Sequence, residues 1–519
     1  MRDGRGTVPG VPGGAVRLLA LGLFAGFLQA CAAGSPTGPT PGGQDEEEEP
    51  PVAADVVIQI DAGTTHQALE GFGATTHSLV YADGTQDNVP SALRGPSLQA
   101  AYGEVGLTTG NLVVGGLEPS NDNDDPFDLD PDAFVTWRSA VMKEKVVDPA
   151  SALGLDDPYP GFVISVRRGS PWLGDIRSVD YQRYLDEAAE QVLAGLLDWR
   201  QRYGTLPRYA QLLNEPLRGN RSLDGGSIQE VVDLVARAGR RLEDEGLGSV
   251  RFVVPGGETE EISLDMARAI LEDPEAERHV GAIAYHPYPY GSTYASAANI
   301  LATSGSGSPD AGEVTVRREL AALGRAHGVP VWMTEVSNGN VDPRSMDHVR
   351  ARAIHIHDEM VYADAAAYFG MHAFWDSRSQ RDHFGNDRLT DAEDSIVLID
   401  NEAGEVTITG MGYAIGHYAR WLRRGALRTD ASSSDPRVLV TAFRDDARRS
   451  LTAVLINNGL EDVVVEVRTD GVALSGDVEG ELSVGQERWS PLEAIEPTAS
   501  DRFFVTLPTE SVTTVSVRF

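Results

Sequence analysis

Eight short apolar runs alternate with amphipathic stretches along the middle of the chain, and this alternation limits the folds that the sequence can adopt. The runs are ALEGFGATT, LTTGNLVVGG, GFVISVRRGSPW, RYAQLLNEP, RFVVPGGE, AIAYHPYPY, VPVWMTEVS and AAYFGMHAFWD. Strands of a parallel sheet are buried on both faces, so they appear as continuous apolar runs. Eight such strands with helices between them close most economically into a (β/α)8 barrel.

The segments between the runs predict the helices of this barrel. Two of them, VDYQRYLDEAAEQVLAGLLDWRQRYG and SIQEVVDLVARAGRRLEDEGLG, are amphipathic and end in glycine, a common C-terminal helix cap. An open doubly wound sheet is the competing architecture, but no glycine-rich phosphate-binding fingerprint follows the first strand. The sequence therefore predicts an α/β protein built on a TIM barrel over residues 56–400.

A different pattern follows residue 400. The segments RVLVTAFRDD, RSLTAVLINNG, DVVVEVRTD and SVTTVSVRF alternate apolar and polar residues and are separated by Gly, Asn and Asp turns. This pattern predicts an appended β-sandwich over residues 401–519. The stretch DVVIQID, residues 55–61, has the same alternation, so we expect it to join the sandwich.

The first 31 residues resemble a bacterial lipoprotein signal. Arg5 and Arg17 precede the apolar run LLALGLFAGF, which is too short to span a bilayer comfortably as a mature helix. The run leads into LQAC, which resembles a lipoprotein box, and Cys31 is the only cysteine of the chain. Cys31 is therefore the predicted lipidation site of an exported protein, lipid-anchored at the cell envelope and contacting the membrane only through this anchor.

The composition limits the kinds of partner that the protein can bind. Residues 32–55 combine Gly, Pro and the acidic run QDEEEEPP, which predicts a flexible tether. The whole chain has 78 acidic and 43 basic residues, which gives a net charge of −35. This excess argues against a nucleic-acid partner, since phosphate binding needs clustered Lys and Arg. We expect a monomer with a solvated acidic surface.

Two glutamates stand at the predicted mouth of the barrel, where TIM-barrel enzymes carry their active sites. Asn214 and Glu215 follow strand four, and Glu335 follows strand seven. Paired carboxylates across one cleft are what glycoside hydrolysis requires. A lone glutamate at a strand end is more often structural, so this interpretation rests on the pair. The Asn214 amide is placed to bond a sugar 2-hydroxyl.

Other residues near strand ends are candidates for substrate binding. His286 and Tyr288 follow strand six, although a His beside two prolines can equally be structural. Trp375, near the end of strand eight, and Trp172, after strand three, could stack on a sugar ring. Core packing explains Trp172 equally well.

No cofactor and no metal are predicted, because the eleven His residues show no ligand-spaced cluster at strand ends. His355 and His357 of the HIH triplet fall on a predicted helix, where residues two apart face different directions. The polar run EPSNDNDDPFD, residues 118–128, could bind Ca²⁺ or shape the substrate cleft, but a solvated loop is the preferred interpretation.

The motif LLNEP followed by VWMTEVS resembles clan A glycoside hydrolases, and the details are most similar to family 30. QALEGFGATTH, GSPW, AYHPYPYG, MGYAIGHYARWLRRGALR and LPTESVTTVSV extend the resemblance over about residues 55–519. It implies a retaining glycosidase acting on poly- or oligosaccharides, with Glu215 as acid and then base and Glu335 as nucleophile. His286 and Tyr288 would line the cleft.

One position departs from the family pattern. Clan A enzymes usually carry an Arg at the end of strand two that helps hold the nucleophile ionised, whereas LTTGNLVVGG offers Asn111. Either strand two is displaced, or another cation such as Arg167 or Arg168 takes over, or the site is atypical. The alternative is a catalytically silent carbohydrate-binding surface lipoprotein, against which the presence of both glutamates argues. The sequence does not specify the sugar.

Overall fold

The computed structural model describes residues 53–76, 89–113, 118–123, 125–161, 170–218, 223, 225–288, 296–337, 341–377 and 395–519. The predicted signal segment with Cys31, most of the predicted tether, and Arg167 and Arg168 lie outside these residues. Within them, no helix combines the length and the apolar character needed to cross a membrane.

Eight parallel strands close into a barrel, because β9 pairs back with β2. The TIM barrel predicted from the sequence is confirmed. In chain order its strands are β2 (Gly71–Thr76), β3 (Thr109–Val113), β4 (Asp157–Gly161), β5 (Tyr209–Gln211), β6 (Arg251–Gly257), β7 (Val280–Tyr285), β8 (Val331–Met333) and β9 (Ala365–Gly370).

Aromatic side chains fill the inside of the barrel. Tyr159, Tyr209, Trp332 and Phe369 come from β4, β5, β8 and β9 and are all buried. The ring centroids of Tyr209 and Trp332 are 4.7 Å apart in an edge contact, and those of Tyr159 and Phe369 are 5.9 Å apart. The barrel is therefore a packed core that supports the strand ends rigidly.

Helices surround the barrel, and their ends follow local sequence signals. The longest helix follows Asp180, whose carboxylate accepts a hydrogen bond from the Arg183 amide. It is capped at its other end by Gly204, whose φ of 76° lies in the left-handed region. The helices are α1 (Ser91–Leu98), α2 (Trp137–Met142), α3 (Asp148–Ser151), α4 (Pro171–Val179), α5 (Tyr181–Tyr203), α6 (Ile228–Asp244), α7 (Glu260–Glu272), α8 (Pro274–Glu277), α9 (Ala297–Ala302), α10 (Ala311–His327), α11 (Met346–Tyr362) and α12 (Gly410–Ala419).

Shorter helical turns complete this layer. Two have π geometry and continue α1 and α2, and two are 3₁₀ turns. Their bounds are Gln99–Glu104, Lys143–Val147, Pro131–Ala133 and Ser304–Ser306.

The apolar run predicted as strand eight contains two strands. β9 ends at Gly370, and β10 (His372–Asp376) begins after Met371. β10 pairs with β11 (Ser395–Asp400), which pairs with β12 (Glu405–Ile408), so these strands form a separate three-stranded sheet. Trp375 and Asp376 therefore lie on a strand beyond the barrel. Periodicity could not reveal this break, since both strands are buried.

The predicted third strand also differs in position. β4 occupies Asp157–Gly161, whereas the run GFVISVRRGSPW begins at residue 161, and residues 162–169 lie outside the described part. The DPYPG sequence of β4 carries two prolines, which argue against a central strand when only the sequence is read.

A nine-stranded sheet forms the appended β-sandwich. Its order is β18-β17-β20-β15-β14-β13-β1-β16-β19, and it folds over on itself, since β19 contacts the distant β15 and β20. The strands are β1 (Val56–Ala68), β13 (Leu427–Ser433), β14 (Val438–Asp445), β15 (Ser450–Asn457), β16 (Val463–Asp470), β17 (Ser475–Val484), β18 (Glu487–Pro491), β19 (Arg502–Leu507) and β20 (Ser511–Arg518).

The strand β1 links the two ends of the chain. It pairs antiparallel with β13 and parallel with β16, and then leads directly into the first barrel strand. Ile58 and Ile60 of β1 are buried in the sandwich core. The strand that precedes the barrel therefore ties the barrel to the sandwich.

Buried histidines seal the junction between barrel and sandwich. On α11, His355 Nδ1 lies 2.9 Å from the Tyr368 hydroxyl of β9, and His357 Nδ1 lies 2.8 Å from Thr441 Oγ1 of β14. The two side chains thus face different domains, as the helical spacing predicts. His417 of α12 sits between Thr514 and Ser483. Burial lowers the pKa of His357 to about 4 and that of His417 to about 3, so both are neutral at pH 7.

A buried arginine holds the helices around β7 together. Arg317 of α10 is 1% exposed; its Nη2 lies 2.8 Å from Glu359 Oε1 and 3.1 Å from Glu260 Oε1. The Tyr285 hydroxyl also donates to Glu359. Burial alone would raise the pKa of Glu359, but the Arg317 charge and His355 bring it down to about 2. Glu359 is therefore ionised and depends on Arg317.

Replacing Arg317 with Met should destabilise the protein by about 3–5 kcal/mol at pH 7, because buried carboxylates lose their cation. Urea-induced unfolding measures the change. Arg268→Met is the matched control, since Arg268 pairs with Glu319 across the same two helices, α7 and α10, at an exposed position. The control should change stability by less than about 1 kcal/mol. Equal effects of the two variants would contradict this account.

Candidate active site

Glu215 is held by its backbone at the mouth of the barrel. It follows the end of β5, and its amide donates to the carbonyl of Gly256, 2.8 Å away near the end of β6. Its φ of 47° lies in the left-handed region, which non-glycine residues rarely occupy. Such strain is typical of functional sites, where the surroundings enforce an unusual direction of the side chain. The side chain is 1% exposed.

The structure brings the two predicted glutamates together. A carboxylate oxygen of Glu215, a carboxylate oxygen of Glu335 and a ring nitrogen of His286 all lie within 4.8 Å of one another. His286 Nδ1 is 3.4 Å from Glu215 Oε1. The three residues follow β5, β8 and β7, so the closure of the barrel creates this cluster. Glu335 is half-buried, whereas Glu215 and His286 are buried.

Arg218 is a member of the site that the sequence analysis missed. Its Nη1 lies 3.0 Å from Glu215 Oε2, and its Nε lies 3.0 Å from Glu258 Oε1. Its amide closes a turn onto the Glu215 carbonyl at 3.1 Å. The guanidinium thus bridges the ends of β5 and β6. The spacing of three residues in NEPLR was a usable signal, because it fits such a turn.

Asn111, at the position where an Arg was expected, belongs to a chain of neutral amides. Its Nδ2 donates to Gln211 Oε1. Gln211 Nε2 then donates to the Leu213 carbonyl at 2.9 Å and lies 3.5 Å from Asn214 Oδ1. The second strand of the barrel, β3, therefore helps to position Asn214. The positive charge near Glu215 comes instead from Arg218.

Tyr288 joins the loops after β7 and β8. Its ring lies 6.0 Å from that of His286, in an edge contact. Its hydroxyl lies 3.2 Å from Ser337 Oγ, two residues beyond Glu335, and 3.7 Å from Met371 Sδ. Of the predicted pair, His286 therefore contacts Glu215, and Tyr288 contacts His286 and the residues that follow Glu335.

The two predicted aromatic platforms have different surroundings. Trp375 is half-buried on β10, and its ring centroid lies 4.3 Å from that of His372. The Trp172 indole donates to the Glu118 carbonyl at 2.8 Å, and its ring packs against the core. Among the described contacts of Trp172, none reaches Glu215 or Glu335. Sugar stacking by either ring stays a prediction.

In the described part of the chain, two groups of residues have the spacing of metal ligands. The first is Glu215, His286 and Glu335, and the second consists of Glu118, Glu187 and Glu190. In the first group the Arg218 guanidinium, 3.0 Å from Glu215, already supplies a cation and disfavours another beside it. The second group offers only carboxylate oxygens.

Comparison with known proteins identifies the fold. No protein-family model matches the chain, and no curated protein sequence matches it. Among solved structures, a family 30 endoxylanase from Clostridium papyrosolvens C71 is 18% identical, with 89% of this chain and 100% of that one covered at a TM-score of 0.61. The chain has the fold of a family 30 glycoside hydrolase structure.

Two further glycoside hydrolase structures share this fold. The catalytic domain of a family 30 xylanase C from Talaromyces cellulolyticus is 16% identical, covering 89% of this chain and 100% of that one at a TM-score of 0.62. An endo-β-1,6-glucanase is 18% identical, covering 91% and 94% at a TM-score of 0.61. The likeness extends over both the barrel and the sandwich.

Replacing Arg218 with Met should lower stability at pH 7 by about 1–2 kcal/mol, because the buried side chains of Glu215 and Glu258 lose a charged hydrogen-bond donor that is itself partly exposed. Calorimetry measures this loss. Arg240→Met removes an exposed arginine paired with Glu275 and should have little effect. A loss for Arg218→Met no larger than that for Arg240→Met would contradict the bridging role.

Proposed function

We propose that the protein is a retaining glycoside hydrolase that cleaves β-linked O-glycosidic bonds of poly- or oligosaccharides. The observation that carries this proposal is the approach of the Glu215 and Glu335 carboxylates to within 4.8 Å at the ends of two barrel strands. Retaining enzymes hold their two carboxyl groups about 5–5.5 Å apart, whereas inverting enzymes leave about 6.5–9.5 Å for a water molecule. The spacing therefore supports double displacement.

In the first step, the ionised Glu335 attacks the anomeric carbon and forms a glycosyl ester. Glu215 gives its proton to the leaving glycosidic oxygen as the old bond breaks. In the second step, Glu215 accepts a proton from water while the water oxygen attacks the anomeric carbon and releases Glu335. Each residue returns to its starting state, and the sugar keeps its anomeric configuration.

The surroundings of Glu215 hold its side chain in one direction. The left-handed backbone and the amide bond to Gly256 direct the carboxyl group, while His286 and Arg218 contact its two oxygens. Asn214, held by Gln211, is the proposed partner of the sugar 2-hydroxyl, and this bond would strengthen in the transition state. Tyr288 and Trp375 are proposed to contact neighbouring parts of the substrate.

The structural neighbours favour a polysaccharide substrate. They are named as xylanases and as an endo-β-1,6-glucanase, which differ in both sugar and linkage. A shared fold hosts different specificities through its loops. We therefore propose the substrate class without a particular sugar.

Replacing Glu335 with Ala should reduce hydrolysis of an activated aryl β-glycoside by more than about 10⁴-fold, because no covalent intermediate can form. Sodium azide should restore turnover and yield a glycosyl azide of inverted configuration. Glu215→Gln should cost about 10²–10⁴-fold through loss of acid catalysis. Glu261→Gln, an exposed change on α7, is the control and should retain full activity.

Undiminished turnover by Glu335→Ala would overturn the assignment. A wild-type protein that binds polysaccharides from a broad panel but hydrolyses none, nor any aryl glycoside, would favour the silent carbohydrate-binding alternative. Product stereochemistry, followed by proton NMR during hydrolysis, tests retention directly. An inverted first product would refute double displacement.

We also propose that the protein is exported and anchored by a lipid on Cys31, on the basis of the LQAC sequence after the apolar run. Cys31→Ala should move the protein from the membrane fraction to the soluble fraction or leave its precursor uncleaved. Metabolic labelling with a radioactive fatty acid measures the modification. Labelling of the Cys31→Ala variant as strong as that of the wild type would disprove this site.

A further inference from the structure

Three buried carboxylates meet on the side of the barrel between β3 and α5. Glu118 follows β3, and Glu187 and Glu190 lie three residues apart on one face of α5. One oxygen from each lies within 4.8 Å of the other two. All three side chains are fully buried. The interpretation of residues 118–128 as a solvated loop is therefore wrong for Glu118.

Four oxygens of this cluster have no hydrogen-bond donor among the described residues. They are Oε2 of Glu118, Oε2 of Glu187 and both carboxylate oxygens of Glu190. Buried polar atoms are nearly always paired, because an unpaired one loses its bonds to water without replacement. Glu190 is the clearest case, since it is 0% exposed and its carboxylate faces the other two.

Among the described residues, no arginine donates to the four unpaired oxygens. Arg183 Nε lies 2.9 Å from Glu187 Oε1, so it donates to the other oxygen of that carboxylate. The charge of Arg241 acts on Glu190, yet burial and the neighbouring carboxylates outweigh it and raise the pKa of Glu190 to about 8. Burial also raises the pKa of Glu118 to about 7. Burial and mutual repulsion therefore disfavour the ionised form of these carboxyl groups unless a cation or a proton is bound.

We propose that Glu118, Glu187 and Glu190 bind a divalent cation of the Ca²⁺ type. The donors are oxygens only, with neither thiolate nor imidazole, and hard cations prefer such a set. Ligands on opposite sides of Ca²⁺ at about 2.4 Å are about 4.8 Å apart, so the oxygen spacing accommodates this ion. The ion would supply the partner that the four oxygens lack.

The bound cation would brace loops at the catalytic face of the barrel. The Glu118 carbonyl accepts from Ser170 Oγ at 2.7 Å and from the Trp172 indole at 2.8 Å. Gln191 Nε2, next to Glu190, donates to the same Ser170 hydroxyl at 3.0 Å. One ion would therefore tie the segment after β3 to the start of α4 and to α5. The inference stands on these contacts and is independent of the proposed hydrolysis.

The pKa shifts determine the sign of the pH dependence. The ordinary pKa of Glu is about 4.3 in an unfolded chain, whereas Glu118 and Glu190 have values raised to about 7 and about 8. Without Ca²⁺, the folded state binds more protons than the unfolded state, and stability is lost as pH rises through these values. Ca²⁺ replaces the protons, so it should stabilise the protein more at pH 8.5 than at pH 5.5.

The test uses the full chain, treated with EGTA and exchanged into metal-free buffer. At pH 8.5, CaCl₂ at 100 times its Kd should raise Tm by about 3 °C, and this rise should largely vanish at pH 5.5. Equilibrium dialysis should show Ca²⁺ binding to the wild type that is reduced by one ion per chain in Glu190→Gln. Asp186→Asn is the matched control, since Asp186 lies on the same helix but pairs with Arg237.

Terbium luminescence locates the site. Trp172 bonds the backbone of Glu118, so it should sensitise Tb³⁺ bound there, and Trp172→Phe or Glu190→Gln should remove most of that emission while Asp186→Asn retains it. A wild-type chain that binds no Ca²⁺ at pH 8.5, with a Tm unchanged by Ca²⁺, would overturn the proposal in favour of a cluster neutralised by protons. Undiminished binding by Glu190→Gln would also overturn it. Neither result bears on hydrolysis by Glu335.

Discussion

The closed ring of eight hydrogen-bonded parallel strands is the constraint on which the site depends. Parallel strands end at the same edge, so closing the ring of β2 to β9 brings the ends of β5, β7 and β8 around one opening. Glu215, His286 and Glu335 are remote in the chain, yet their polar atoms meet there. The aromatic filling of the barrel, including Trp332, leaves the strand ends little freedom to move.

Buried acids recur in this protein, and the structure handles each group differently. Glu359 receives a buried arginine, Arg317, and stays ionised as part of the scaffold. Glu215 is contacted by the buried His286 and by Arg218, which is partly exposed. The carboxylates of Glu118, Glu187 and Glu190 are left with four unpaired oxygens in the described part of the chain. This difference separates a structural ion pair, a proposed catalytic centre and a proposed cation site.

The sequence determined the architecture, because buried strands, amphipathic helices and alternating sandwich strands each leave a local periodic pattern. It also determined which carboxylates stand at strand ends, so Glu215 and Glu335 could be named before their distance was known. Local pattern was insufficient where burial is continuous: the break at Met371 divides one apolar run into β9 and β10 and moves Trp375 off the barrel. The third strand lies earlier than predicted for a different reason, because the two prolines of β4 argue against a central strand when only the sequence is read.

Only the tertiary structure decided which charges share a space. The spacing in NEPLR fits a turn, but only the structure shows that this turn places Arg218 between Glu215 and Glu258. Asn111 stands where an arginine was expected, and only the structure shows that it bonds Gln211. Glu118 looked solvated because its neighbours in the sequence are polar, whereas its environment is formed by α5. The periodicity of apolar residues in the sequence indicates only which face of a single helix or strand is buried. Electrostatic partners come from several elements, and the folded chain alone brings them together.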